Sequence, residues 1–368
     1  MTTIEPGIPF HPARWWRQER DAIQCRLCPH RCLVQEGTTG FCNARANDHG
    51  RLVSLVYGRV CVSAVDPIEK KPIFHFHPGA KLYSIGTFGC NLDCSFCQNS
   101  MLARAGISEL PSKYTSPEDL VQFALNKEVD GIGWTFNEPT VWSEYIIDVS
   151  KLAHVQGLFS LLNTNGYIEP EAAEDLLENI DAVKVDIKGF GETIYNELCH
   201  GKLAPVLQTC IMVKEKGIHL ELAYPLIPSK TDDPGILTRF AEWVIEELGR
   251  DTPVHLFRFQ PSYRLTQIDS PTLSMLYESR RLLHDAGLRF IYLGGVTGED
   301  QNTYCPSCGK AVVVRRSEEV SEKMFIKKEQ VSRFCPTFSK VEKRMSNGRC
   351  KYCGESLPIR ENELSGLN

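Results

Sequence analysis

Three closely spaced cysteines give the sequence its clearest chemical signal. Cys90, Cys94 and Cys97 follow residues 82–88, an apolar run typical of a strand. We expect them on a loop at the end of that strand, where the chain can wrap a metal cluster. Soft thiolates at short spacing select zinc or iron–sulfur clusters, and three ligands would leave one iron of a four-iron cluster open. An open iron can bind and polarise a small molecule, so the loop predicts a catalytic site.

An aromatic residue, Phe96, stands directly before the third of these cysteines. With it, the C-x3-C-x2-C loop resembles the signature of radical S-adenosylmethionine (SAM) enzymes. The resemblance implies a [4Fe–4S] cluster and SAM as cofactors, Phe96 among the cofactor contacts, oxygen sensitivity, and a reductant such as flavodoxin or ferredoxin. It also implies that an electron from the cluster cleaves SAM to methionine and a 5′-deoxyadenosyl radical, which abstracts a hydrogen atom from a substrate.

Composition excludes several other classes of protein. The chain of 368 residues has a formal net charge of −5 and lacks the basic character of a nucleic-acid-binding protein. No apolar run reaches the length of a membrane span, and residues 1–12 have no apolar signal core, so we expect a cytoplasmic protein without a membrane partner. The 15 cysteines of such a chain favour metal sites over disulfides.

After the cysteine loop, strand-like and helix-like segments alternate. Ser116 and Pro117 are typical of the first positions of a helix. The expected strands are 131–136, 158–162, 182–187, 219–226, 254–259 and 289–293. The expected helices are 116–127, 141–155, 170–179, 204–216, 234–248 and 271–286. This alternation predicts an α/β fold with a full or partial TIM-like (β/α) barrel, whose chemistry lies at the carboxyl ends of its strands.

Polar residues stand at two of these predicted strand ends, and the resemblance assigns them to SAM binding. Asn137 and Glu138 are similar to the Gly-Gly-Glu-type motif that holds the SAM amino group, with Asn137 in place of the second glycine. Asn163, Thr164 and Asn165 resemble the Asp-Thr-Asn-Gly segment of pyruvate formate-lyase-activating enzymes, with Asn163 in place of the acid.

Two later strand ends carry further candidates. Asp186 and Lys188 match the Asp-x-Lys of the same activating enzymes, although two such charges could also form a surface ion pair. Ile227 lies in an apolar stretch that could face the adenine of SAM. Gln260 stands where related activating enzymes often carry histidine, and we assign it no catalytic role.

Both ends of the chain carry further cysteine sets. The C-terminal set, with a glycine after each C-x2-C pair, is typical of a zinc ribbon and comprises Cys305, Cys308, Cys350 and Cys353. The charged stretch 315–328 between its halves resembles an insertion. The N-terminal set has the spacing C-x2-C-x3-C-x9-C and comprises Cys25, Cys28, Cys32 and Cys42. Four thiolates can close a tetrahedral site, for which zinc is favoured slightly and a second iron–sulfur cluster is the alternative.

Taken together, the N-terminal cysteines and residues 66–72, 75–79 and 86–91 resemble AmmeMemoRadiSam system radical SAM proteins, a family related to pyruvate formate-lyase-activating enzymes. The resemblance implies possible association with the other two proteins of that system. It divides the chain into a Cys-rich element with a charged connection (1–80), a radical SAM barrel core (81–300) and a zinc-ribbon-like element (301–368).

Two alternatives to a radical SAM enzyme of unidentified substrate remain open. One is an activase that makes a glycyl radical on a partner enzyme. The other, from a different class, is a non-catalytic iron–sulfur and zinc binding module. The charged residues 66–72 could line the barrel mouth or form a solvated charged turn. In the first case we expect them, together with the two Cys-rich elements, to restrict entry to a small molecule or a partner's side chain.

Overall fold

The computed structural model describes residues 10–296, 298–326 and 329–361. The described chain begins with short strands: β1 (His11–Pro12), β2 (Trp16–Glu19), β3 (Ala22–Cys25), β4 (Leu33–Val34), β5 (Arg45–Asp48), β6 (Arg51–Ser54) and β7 (Arg59–Val60). They form two small antiparallel sheets, β2-β3-β4 and β1-β6-β5. His49 and Gly50 connect β5 to β6 with φ angles of 50° and 76°, as a two-residue hairpin turn requires. Residues 1–9, part of the stretch expected to lack a signal core, lie outside the described ranges.

The middle of the chain builds one large sheet. Its segment contains β8 (Val62–Pro67), β9 (Lys81–Gly86), β10 (Lys113–Tyr114), β11 (Gly131–Trp134), β12 (Phe159–Thr164), β13 (Ala182–Asp186), β14 (His219–Leu226), β15 (Val254–Arg258) and β16 (Ile291–Gly294). The 8-stranded sheet has the order β16-β15-β14-β13-β12-β11-β9-β8, and β10 pairs with β7 instead. All neighbours are parallel except β8 with β9. Because β8 and β16 lie at the two edges, the sheet is an open, partial barrel, which confirms the predicted fold class.

Helices connect the parallel strands: α1 (Ser100–Ala103), α2 (Pro117–Leu125), α3 (Ser143–Val155), α4 (Pro170–Leu177), α5 (Glu192–Cys199), α6 (Leu203–Glu215), α7 (Pro234–Trp243) and α8 (Leu273–Asp285). The α7 helix continues as a π-helical turn over Val244–Leu248. The predicted start of α2 is confirmed, since the Ser116 hydroxyl accepts a hydrogen bond from the Asp119 amide. Among the described residues, no helix has both the length and the apolar content needed to cross a bilayer.

The connection between β8 and β9 lies at the amino end of β9, away from the cysteine loop at its carboxyl end. Pro67 pairs with Lys81, the first residue of β9. The amides of Phe74 and His75 donate to the carboxylate of Glu221, which is fully buried. The backbone of residues 66–72 therefore does not line the mouth of the barrel, and that expectation was wrong for the segment, although the Lys71 ammonium reaches within 5.3 Å of the ring centre of Phe136, after β11. Strand β8 is antiparallel to β9, so its chain direction takes this connection to the opposite end.

The C-terminal part consists of β17 (Thr303–Tyr304), β18 (Ala311–Ile326), β19 (Glu329–Lys343), β20 (Met345–Ser346) and β21 (Arg349–Cys350). Residues 315–326 of the stretch expected to be an insertion belong to β18, which forms a long antiparallel hairpin with β19, and residues 327 and 328 lie outside the described ranges. At its base, the buried Arg315 lies 3.5 Å from a carboxylate oxygen of Glu69 and donates to the carbonyl of Phe74. These contacts join the hairpin to the connection between β8 and β9.

Candidate active site

The cysteine loop leaves the carboxyl end of β9, as the sequence predicts. Gly89 has a φ of +89°, and a Cβ atom there would come within 2.5 Å of the Cys42 carbonyl oxygen, so only glycine fits. The Arg104 guanidinium then fixes the loop by donating to the carbonyls of Cys90 (2.5 Å) and Leu92 (2.8 Å). These two contacts hold the backbone at the start of the cysteine loop.

The three thiols of this loop suit a metal cluster. Burial raises the pKa of the Cys90 and Cys97 thiols, because a buried thiolate loses its hydration. A hydrogen bond with the Cys199 thiol, followed by burial, raises the pKa of Cys94. A bound metal supplies the positive charge that deprotonates coordinating thiols, so the donor set fits an iron–sulfur cluster.

Glu138, which follows β11, joins two strand ends. One of its oxygens accepts hydrogen bonds from the Thr140 amide (2.9 Å) and the Thr164 hydroxyl (2.6 Å), and the other accepts from the Asn165 amide (2.8 Å). Burial raises the pKa of this carboxyl, although these hydrogen bonds act to lower it. Glu138 thus fixes the turn after β12 against the turn after β11.

The neighbouring asparagines connect these turns to the cysteine loop. Asn165 donates from its amide group to Asn91 (2.9 Å) and lies 3.8 Å from the Cys90 sulfur. Asn137 accepts from the Thr87 amide. Asn163 donates to the Thr135 hydroxyl, but its buried Oδ1 has no hydrogen-bond partner within the described part of the chain. An unsatisfied acceptor at this position suits a ligand hydroxyl or ammonium group.

Asp186, at the end of β13, lies between two lysines. Its two oxygens are 2.5 Å from Lys184 Nζ and 3.0 Å from Lys188 Nζ. Burial acts to raise the pKa of the Asp186 carboxyl, but the two ammonium groups outweigh burial and lower it to about 2. Asp186 is therefore ionised at neutral pH, whereas burial lowers the pKa of Lys184, and the three side chains form one compact charged group.

One cavity of about 290 Å³ brings these side chains together. It is lined by the loop cysteines and by almost all the predicted SAM contacts, namely Cys90, Cys94, Cys97, Phe96, Asn137, Glu138, Asn163, Thr164, Asn165, Asp186 and Lys188. Ile227 does not line it: its side chain is fully buried, and its amide donates to the Thr231 hydroxyl. The chain turns inward after Leu226, so Ile227 packs in the core, away from the cavity.

Sequence reasoning missed several residues that line the cavity. Lys184 was overlooked although it stands two positions before Asp186, and alternate residues of a strand share one face. A lysine within the apolar strand β13 was the available signal. Phe257 and Gln260 also line the cavity, although Gln260 was given no catalytic role. Phe257 and Gln260 reach the cavity because of the curvature of the sheet, and the periodicity of the sequence does not predict this curvature.

The sulfurs of the four C-terminal cysteines lie close together. The sulfur of Cys305 is 3.6 Å from that of Cys353, and the sulfur of Cys308 is 3.8 Å from that of Cys350. All four sulfurs lie within 4.8 Å of one another. With zinc–sulfur bonds of about 2.3 Å, a tetrahedron places its sulfurs about 3.8 Å apart, so the spacing fits zinc.

The N-terminal cysteines also face one another. Cys25, Cys28, Cys32 and Cys42 line a separate small cavity together with Arg45 and Asn91. Asn91 belongs to the loop that carries Cys90, Cys94 and Cys97, so this second set of thiols lies directly beside the first. All of the predicted metal ligands are thus grouped in the three sets expected from the sequence.

Comparison with known protein families shows a match to the radical SAM superfamily, whose model covers residues 84–241. An uncharacterized protein of Methanocaldococcus jannaschii is 37% identical over 338 residues, which cover 92% of this chain and 95% of that protein.

Two matches of lower sequence identity have names that state an activity. A pyruvate formate-lyase-activating enzyme of Listeria monocytogenes is 26% identical over 164 residues, or 42% of this chain and 66% of that enzyme. A radical SAM methyltransferase structure from Sphaerobacter thermophilus has a TM-score of 0.48 and 15% identity over 60% of this chain and 68% of that one.

Proposed function

Because the chain belongs to the radical SAM superfamily, we propose that it is an enzyme in which Cys90, Cys94 and Cys97 hold a [4Fe–4S] cluster with an open iron. When bound, the reduced cluster and SAM supply a 5′-deoxyadenosyl radical that abstracts a hydrogen atom from the substrate. The protein's own residues position both molecules, because such a radical reacts with whatever lies nearest.

One observation carries this proposal. The three thiols of the cysteine loop and the polar ends of β11, β12 and β13 line the same cavity at the carboxyl edge of the sheet. We propose that Asn163 Oδ1, which lacks a partner among the described residues, accepts a hydrogen bond from SAM. Lys188, held by Asp186, would supply positive charge for the SAM carboxylate.

The Asn163→Ala variant tests this placement. Losing one hydrogen bond in the cavity is expected to weaken SAM binding about tenfold, equivalent to about 1.4 kcal/mol. Binding is measured anaerobically from the change that SAM causes in the electron paramagnetic resonance (EPR) signal of the reduced cluster. The Asn126→Ala variant, altered at an exposed residue after α2, is the control. Equal SAM affinity in all three proteins would remove Asn163 from the site.

Similarity to a pyruvate formate-lyase-activating enzyme supports a narrower candidate, an activase that makes a glycyl radical on a partner protein. This candidate predicts a stable glycyl EPR doublet on the partner after incubation with reduced protein and SAM. Candidate partners are the glycyl-radical enzymes and the other two proteins of the AmmeMemoRadiSam system. A doublet that requires Cys94 would establish the activase. Consumption of SAM with no protein radical would favour a small substrate or a side chain.

We propose zinc for Cys305, Cys308, Cys350 and Cys353, and a zinc-stabilised unit over residues 301–368, of which 327, 328 and 362–368 lie outside the described ranges. The sulfur spacing supports the metal. A cytoplasmic location and reduction by a flavodoxin or ferredoxin belong to the same proposal, since the open cluster needs a low-potential electron donor and protection from oxygen.

The zinc proposal is best tested by point substitution. The Cys350→Ser/Cys353→Ser variant is expected to lose one zinc per chain and to unfold locally, because metal binding supplies the folding energy of such sites. The central cluster absorbance is expected to remain. Truncation before Tyr304 is a poorer test, because it would leave the buried Glu69 without Arg315. Loss of cluster iron in the double variant would show that the two sites depend on each other.

A further inference from the structure

We infer that Cys25, Cys28, Cys32 and Cys42 bind a second iron–sulfur cluster of the four-iron type, and not zinc. The chain brings these residues together from two segments. Cys25 ends β3, and its amide donates to the Cys32 carbonyl. Cys28 lies in the intervening turn, and Cys42 arrives just before β5. All four line one small cavity.

The distances between the sulfur atoms distinguish a zinc site from an iron–sulfur cluster. Zinc requires sulfurs about 3.8 Å apart, and the C-terminal cysteines meet this requirement with distances of 3.6 and 3.8 Å. Within the described chain, that C-terminal set is the one group of three or more candidate ligands whose atoms all lie within 4.8 Å of one another. The N-terminal set is spaced more widely, as is the set of Cys90, Cys94 and Cys97. Wider spacing is what a multi-iron core requires, since each sulfur binds a different iron.

A backbone amide points at one of the N-terminal sulfurs. The Phe41 amide donates to the Cys32 sulfur at 3.4 Å. An amide donor stabilises negative sulfur, which favours Cys32 as a thiolate ligand.

Arg45 supplies an independent indication of an anionic sulfur core. Its side chain is 1% exposed and lines the same cavity. Two of its nitrogens donate to the Arg14 carbonyl (2.8 Å) and to Glu144 (2.5 Å). Its Nε has no partner within the described residues. An unpartnered guanidinium nitrogen beside four cysteines suits an anionic sulfur acceptor, either a cluster sulfide or a cysteine thiolate.

The proposed cluster would lie next to the catalytic one. The Cys42 carbonyl packs against Gly89, the residue before Cys90. The imidazole of His30 lies 2.8 Å from the Asn91 carbonyl oxygen. Four cysteine ligands leave no iron open, so this second cluster would not bind SAM. It accounts for a cysteine set that the proposed SAM chemistry does not use.

Metal counting on anaerobically reconstituted full-length protein tests the inference. We expect about eight irons and one zinc per chain in the unaltered protein. The Cys90→Ala/Cys94→Ala/Cys97→Ala variant should keep about four irons and a Mössbauer spectrum typical of a four-iron cluster. Adding Cys28→Ala and Cys42→Ala should remove this iron without changing zinc. Cys210→Ala, altered at a buried cysteine of α6, should change neither count.

Two results would overturn the inference. One is about four irons and two zincs in the unaltered protein, with one zinc lost on Cys28→Ala/Cys42→Ala substitution. The other is about four irons and one zinc, which would mean that the N-terminal cysteines bind no metal. Both counts come from the unaltered protein, so the inference stays testable if a variant fails to fold. Neither result affects the proposed SAM cleavage, which depends on the central cysteines.

Discussion

Replacing Cys90, Cys94 and Cys97 together by alanine is expected to remove about four irons per chain and to abolish SAM cleavage. The physical reason is that these are the thiols lining the main cavity, and no other side chain there replaces a soft thiolate. Iron is counted by chemical assay after anaerobic reconstitution, and cleavage is measured as 5′-deoxyadenosine formed in the presence of dithionite.

The Cys210→Ala protein serves as the control for this experiment, because Cys210 is fully buried in α6 and far from the loop in sequence. It should retain its iron and its cleavage rate. Unchanged iron content in the triple variant would contradict the assignment of the open cluster to these cysteines.

The Glu138→Ala variant is expected to be the most damaging single substitution outside the cysteine loop. It removes the acceptor of three hydrogen bonds, from Thr140, Thr164 and Asn165. Each buried donor left unpaired costs about 1–3 kcal/mol. We therefore expect the free energy of unfolding to fall by about 3–5 kcal/mol. The rate of SAM cleavage should fall about 100-fold, equivalent to about 2.7 kcal/mol, as Asn165 loses its position beside Cys90.

Two further variants are compared with Glu138→Ala, one conservative and one a control. In Glu138→Gln the side chain keeps its shape, but an amide NH2 group replaces one carboxylate oxygen and faces one set of donors. The losses of stability and of SAM-cleavage rate should therefore be smaller than those of Glu138→Ala. Glu215→Ala, altered at an exposed residue of α6, should change stability by less than about 0.5 kcal/mol. Urea unfolding and the 5′-deoxyadenosine assay provide both measurements. A fully active and stable Glu138→Ala protein would mean that the three donors find other partners.

Local sequence patterns predicted the elements well. Ser116 caps α2 as expected, and strand β14 has the predicted bounds, His219–Leu226. Capping and burial are properties of neighbouring residues, which explains this success. The convergence of each cysteine set was also predictable, because the cysteines of a set stand at short spacings in the sequence.

Long-range contacts limited what the sequence could predict. The hydrogen bonds of Glu138 with Thr164 and Asn165 join residues 26 and 27 positions apart, and no local pattern contains them. The inward packing of Ile227 depends on a hydrogen bond with Thr231. The place of residues 66–72 depends on the antiparallel direction of β8, which the sequence does not show.

The most direct test of the central claim is the anaerobic assay of SAM cleavage by the unaltered, reconstituted protein. With dithionite and SAM, the proposed function predicts 5′-deoxyadenosine and methionine in equal amounts, and neither product from the Cys94→Ala variant. If the unaltered protein binds about four or more irons and still forms no 5′-deoxyadenosine under these conditions, the proposed reaction is contradicted, and the non-catalytic binding module becomes the better description.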